Sequence, residues 1–151
     1  MLAAGAVVLL ARPPGAEAAQ AEDTAGTLLE LIAREQAADF AYRATGARRF
    51  ARLAQHAAEH ARALRAHLES VGRPAPAPPG ARGDLDPAAA RVASAGGEAA
   101  AIALERELVT VYAGALDRLY DPSSKRTAAT IMAGHGQQLV VLHRDPLQAL
   151  G

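Results

Sequence analysis

Residues 28–43 read LLELIAREQAADFAYR. Apolar and small residues recur there in steps of three and four: Leu28, Leu31, Ala38, Tyr42. That is the stripe of an amphipathic helix, and the same steps place Glu35 in the middle of its buried face. Seventy residues on, the pattern returns. Residues 103–116 read ALERELVTVYAGAL, and Glu35-x6-Tyr42 recurs as Glu105-x6-Tyr112. Two helices of one design, each burying an acid and a tyrosine two turns apart, predict two related helical hairpins around a shared centre.

Composition agrees with helices. The chain has 151 residues, enough for one domain. Forty are alanine, the best helix former, and aromatic residues are 3 %. Strands favour β-branched and aromatic residues, so the composition argues strongly against a sandwich or barrel. Sixteen basic and sixteen acidic residues balance, so no overall field draws the chain to nucleic acid or to an anionic membrane. There is no cysteine, which excludes disulfides, thiolate nucleophiles, Fe–S clusters and cysteine zinc sites.

Punctuation divides the chain. A first helix is expected from about Thr24 to Ala44, with an N-cap pattern in Thr27–Glu30 and an end at Thr45-Gly46. A second spans about Ala47 to Val71 and is closed by Gly72. Residues 73–87, RPAPAPPGARGDLDP, hold five prolines and form a polyproline-like connector. A third helix starts near Pro87 under an Asp86 cap and runs to about Tyr120, with a candidate break at Gly96-Gly97. A fourth runs from about Ser124 to His143, stopped by Asp145-Pro146. Two short-loop hairpins joined by a longer connection predict an all-α, up-down four-helix bundle over residues 21–146, followed by a tail at 147–151.

Residues 1–20 read as a targeting segment. Met1–Ala11 is an apolar run too short to span a bilayer but of signal-peptide length, and Ala16-Glu17-Ala18 fits a small-x-small cleavage site. No Arg or Lys precedes the run, so a floppy apolar tail or an extra helix is the alternative. The expectation is export to the periplasm, cell wall or medium, and a cytoplasmic place if the segment is not a signal. Without cysteine there is no lipoprotein anchor.

Each helix carries an acid or histidine in its core-facing line. The third-helix line is Glu98, Ile102, Glu105, Val109, Tyr112, Leu116, Leu119. The second gives Leu53, His56 or Ala57, His60, Leu64, His67; the fourth gives Ala128, Ile131, His135, Gln138 or Leu139, Leu142. Residues equidistant from a hairpin turn lie side by side. Glu35 then faces the His56–His60 turn, and Glu105 faces Gln138, one turn from His135. Isolated buried carboxylates would cost several kcal/mol, and a cation or histidine partners would relieve that.

Other features read as background. His67 and His143 fall at the rim, and Tyr42 and Tyr112 read as core residues hydrogen-bonding across the bundle. Arg48, Arg49, Arg52, Arg62 and Arg65 form a solvated face, since a nucleic-acid patch would want interleaved aromatics and net positive charge. His56-x3-His60 has metalloprotease spacing, but Ala57 stands where the glutamate belongs. Gly134 and Gly136 flank His135, which reads either as close helix approach or as a weak spot. No phosphate loop, nucleophile elbow or dinucleotide fingerprint occurs.

With these residues in view, the chain resembles the ferritin-like superfamily, nearest to exported bacterial ferritin-like domain proteins. The resemblance rests on LLELIAREQAADFAYR, on LAQHAAEHARALRAHL at 53–68 and on ALERELVTVYAGAL, and covers residues 24–144. It implies a ferritin-like bundle. Carboxylate di-metal bundles take one Glu from each of two helices and Glu-x-x-His from each of the others. Glu35 and Glu105 match the single positions and His60 the second-helix histidine. Ala57 replaces one expected Glu, His135 the other, and Gln138 the last His. The resemblance therefore implies a divalent metal site (Fe, Mn or Zn) at Glu35, His60, Glu105 and His135, with His56 as substitute. Iron oxidation by a di-metal centre would need carboxylates that are missing. The competing expectation is a metal-free helical interaction module, acting as a homodimer or on an envelope protein, with no nucleic acid and no membrane span.

Overall fold

The computed structural model describes residues 15–144, and every regular element among them is helical. The helices are α1 (Ala16–Ala44), α2 (Ala51–Ser70), α3 (Pro87–Ala95), α4 (Glu98–Leu116) and α5 (Pro122–Arg144). The apolar run Met1–Ala11 and the Asp145-Pro146 stop lie outside the described residues.

Glycine and aspartate set the boundaries much as expected. Gly46 and Gly72 take positive φ after α1 and α2. Asp86 accepts hydrogen bonds from the Ala88 and Ala89 amides and caps α3, which has Pro87 in its first turn. Gly96 (φ 59) ends α3, so the predicted third helix is two helices. Asp121 accepts from both the Ser124 amide and its hydroxyl at the start of α5.

Two expectations are corrected. Helix α1 starts eight residues before Thr24, and Thr27 is no cap: its hydroxyl bonds the Asp23 carbonyl within the helix. The alanine-rich stretch from Ala16 has the propensity to extend the helix without a side-chain cap. The Ala16-Glu17-Ala18 motif therefore forms the first turn of α1. The buried line of α4 is also displaced. Ala101, Leu104, Leu108 and Ala115 are buried beside Glu105 and Tyr112, while Ile102, Val109 and Leu116 lie at the margin.

The helices form two antiparallel hairpins, α1–α2 and α4–α5, with α3 packed on α1 and α4. Cross-hairpin bonds give their directions. Tyr42 meets Glu105 and Glu30 meets Arg118, so α1 and α4 are antiparallel. His67 meets Thr127 and His56 meets Gln138, so α2 and α5 are antiparallel too. The four-helix bundle of two hairpins stands as expected, but its order is corrected from up-down alternation to up-down-down-up, with α2 and α4 pointing the same way. The connector makes this reversal by running along α1. Arg73 pairs with Glu22, the Pro76 carbonyl accepts from Gln36, and Gly96 arrives beside Thr45.

Among the described residues the core has two apolar clusters. One surrounds Tyr42, Phe50, Leu53, Val92, Leu104 and Leu108. The other surrounds Leu28, Leu31, Ile32, Leu64, Leu68 and Leu119. The buried polar side chains of the central layer sit between them. Among the described residues, no helix is long and apolar enough to cross a membrane.

Candidate metal centre

The central layer is built from the repeated Glu/Tyr pair. Glu35 and Glu105 are 0 % and 1 % exposed, on α1 and α4. Tyr112 donates to Glu35 Oε1 at 2.7 Å, and Tyr42 donates to Glu105 Oε1 at 2.5 Å. Each tyrosine thus serves the acid of the other repeat, which is the pseudo-twofold relation expected from the repeat. Burial, and then the carboxylate each one faces, raise both phenols far above their ordinary pKa, so they stay donors.

His135, 1 % exposed on α5, lies between the acids. Its Nδ1 is 2.7 Å from Glu105 Oε2 and its Nε2 is 2.8 Å from Glu35 Oε1. Burial alone would push the imidazole pKa down. Hydrogen bonds to Glu105 and Glu35, and their charges, outweigh burial and raise it to about 10. Burial also pushes the Glu35 carboxyl up, but the hydrogen bond to His135 and the nearby His60 imidazole outweigh it, and its pKa is lowered.

Gln138 closes the far side. With its amide oxygen toward His56 Nδ1 (2.8 Å), its nitrogen donates to Glu105 Oε2 at 2.8 Å; the opposite orientation would set acceptor against acceptor. Glu105 therefore receives Tyr42, His135 and Gln138 and has no unmet oxygen.

Glu35 differs. Its Oε2 is buried without a hydrogen-bond partner, and so is Nδ1 of His60 on α2. These two atoms are 3.4 Å apart, within ion-pair reach but out of hydrogen-bond alignment. Glu35, His60 and His135 offer ligand atoms that all lie within 4.8 Å of one another. The His60 side chain is 17 % exposed, and an open cleft of about 390 Å³ between α2 and α5 reaches it past Glu59, Thr127 and Thr130. Gly134 faces the ring: a Cβ there would lie 3.6 Å from His60 Nε2, so the glycine marks close helix approach beside the layer.

A family model described as a ferritin-like domain matches residues 15–145, most of the chain. The chain belongs to the ferritin-like domain family. No curated protein and no solved structure matches it. Within this ferritin-like bundle, the five expected site residues do not converge equally. Glu35, His60 and His135 form the close group. Glu105 stands behind His135, and His56 touches only the Gln138 amide within the layer. His67 and His143 lie at the rim as expected, on Thr127 and on the Leu139 carbonyl.

The donor set decides how many ions fit. A two-metal ferritin-like centre needs four carboxylates. Ala57, buried on α2, and His135, on α5, stand at the other two carboxylate positions and supply none. Glu35, His60 and His135 form a candidate metal-ligand triad of one carboxylate and two imidazoles.

Proposed function

We propose that this ferritin-like domain holds one divalent cation, Zn, Mn or Fe, between Glu35, His60 and His135. The observation carrying this reading is the facing pair of unpartnered buried atoms, Glu35 Oε2 and His60 Nδ1. An unmet buried carboxylate oxygen is costly, and a cation is what one acid and two imidazoles bind. Charge points the same way. Two buried carboxylates and one imidazolium leave one negative charge unbalanced, whereas a divalent cation with neutral His135 balances both.

Each supporting residue has a role in this reading. Glu105 accepts from His135 Nδ1 and so turns Nε2 toward Glu35, the carboxylate support that ligating histidines usually have. Tyr42 and Gln138 hold Glu105 in place. Tyr112 occupies Glu35 Oε1 and leaves Oε2 free. When bound, the cation supplies fixed positive charge and a link between the two hairpins. Binding releases the proton that His135 holds between the acids. Glu105 and His56 are thus assigned as supports, not ligands.

The test is metal loading of the full chain with Zn(II), Mn(II) or, without oxygen, Fe(II). One metal per chain is expected, with an unfolding temperature that rises on loading. Glu35→Gln abolishes both effects. His60→Ala, at the partly exposed edge of the layer, keeps the fold and loses the metal. Two metals per chain would revive iron oxidation, and metal retained by both variants would overturn the site.

A metal-free module is the second reading, favoured by the fact that both His135 nitrogens already have carboxylate partners. In it the imidazolium takes the cation's place, and the work of the protein is binding another protein, as a homodimer or on an envelope partner. No metal bound above the level of the variants is its signature.

A further inference from the structure

A second pair of buried polar atoms without partners lies away from the central layer. They are Gln36 Oε1 and Arg65 Nε. Both residues line an open groove of about 540 Å³ between α1 and α2, walled on its third side by Pro78 and Pro79 of the connector. Gln36 follows Glu35 by one residue, about 100° round the helix, so it leaves the layer and faces the groove. Its Nε2 is tied to the Pro76 carbonyl at 3.2 Å, and this fixes the oxygen as an unmet acceptor.

The charges of the groove do not cancel. Asp39, its acid, is already paired with Arg43 at 2.6 Å. Arg62 and Arg65, one turn apart on α2, form no ion pair among the described residues. The rest of the lining is chiefly apolar, with the half-buried Phe40 ring among alanines and the two prolines. Two free guanidinium groups beside an apolar wall suit an oxyanion attached to an apolar body, because a guanidinium pairs with carboxylate or phosphate through parallel N–H bonds. The volume is that of a small-molecule site.

We propose that this groove binds a small organic anion, its carboxylate or phosphate head held by Arg62 and Arg65 and its ring-sized apolar body on Phe40 and the Pro78-Pro79 wall. This site is separate from the metal reading and shares no residue with it.

The experiment titrates the full chain, labelled with ¹⁵N, with benzoate, phenyl phosphate and the neutral benzamide, following amide shifts. Benzoate or phenyl phosphate is expected to bind at least about tenfold more tightly than benzamide, a difference of about 1.4 kcal/mol. The tighter of the two identifies the head group. Shifts should centre on Gln36, Phe40 and Arg65. An Arg62→Ala/Arg65→Ala variant, checked for helical circular dichroism, loses that preference and keeps the benzamide affinity. Equal binding of benzamide and the anions by the unaltered chain would overturn the proposal, as would shifts centred elsewhere or no binding at millimolar ligand. The anion-to-neutral ratio is read on the unaltered chain, so a variant that fails to fold does not spoil the test.

Discussion

His135 is a cation buried between two acids, and that makes the stability of the chelator-treated protein depend on pH in a defined way. Its pKa rises from 6.5 to about 10 on folding. The stabilisation is fully present below pH 6.5 and is lost as pH climbs through about 10. Glu35 has the opposite sign: its pKa falls below 4.5 on folding, so its contribution is present above pH 4.5 and is lost as pH drops through the folded value. Thermal midpoints are therefore expected to peak between about pH 4.5 and 6.5 and to decline toward pH 10. His135→Gln should remove the alkaline decline; parallel profiles for the two proteins would refute the assignment. The tyrosines test the same layer from its edges. Tyr42→Phe and Tyr112→Phe each strip a donor from a buried carboxylate and should cost about 1–3 kcal/mol in urea unfolding. The double variant should depart from additivity by about 0.5 kcal/mol or more, since His135 ties the two acids together. These residues were legible in the sequence because steps of three and four repeat seventy residues apart. The division into ligands and supports was not. It depends on which carboxylate oxygen each phenol takes and how the His135 ring is turned, and neither leaves a trace in spacing. Gln36 carried no periodic signal at all, and Arg65 read as part of a solvated face although its Nε is buried.

Helices were legible where punctuation is chemical. Gly46, Gly72, Asp86 and Gly96-Gly97 marked boundaries, because positive φ and side-chain capping demand those residue types. Asp86 does most at the start of α3: it caps two amides and receives Arg34 at 3.2 Å. Asp86→Ala should lower stability by about 1 kcal/mol, read by urea unfolding, and Asp86→Asn should recover most of it. No loss in the alanine variant would show that α3 is held by packing alone. Boundaries and faces were illegible where alanine dominates. Nothing in Ala16–Asp23 forbids helix, so α1 begins earlier than the capping pattern implied. On α4 both flanks of the Glu105–Tyr112 line are apolar, and packing chose the Leu104–Leu108 flank over Ile102–Val109.

At the scale of the whole molecule, the centre exists because two hairpins interlock. Glu35 and His60 come from one and Glu105 and His135 from the other. Of the bonds that join the acids, the tyrosines and His135, all but the His135–Glu105 bond cross between the hairpins. The all-helical class and the paired hairpins were readable from composition and repeat. The run of the connector along α1, which points α2 and α4 the same way, was not, because fifteen proline-rich residues reach either end of a bundle. The layer that results sits between two apolar clusters, where an unbalanced charge is costly. A single cation at Glu35, His60 and His135 would balance that charge. Zinc X-ray absorption on the full chain, loaded and desalted, tests it most directly. One zinc per chain is expected, with nitrogen and oxygen neighbours at about 2.0–2.2 Å and imidazole scattering from two histidines. A metal–metal vector at about 3.5–4 Å, or zinc without imidazole, would contradict it.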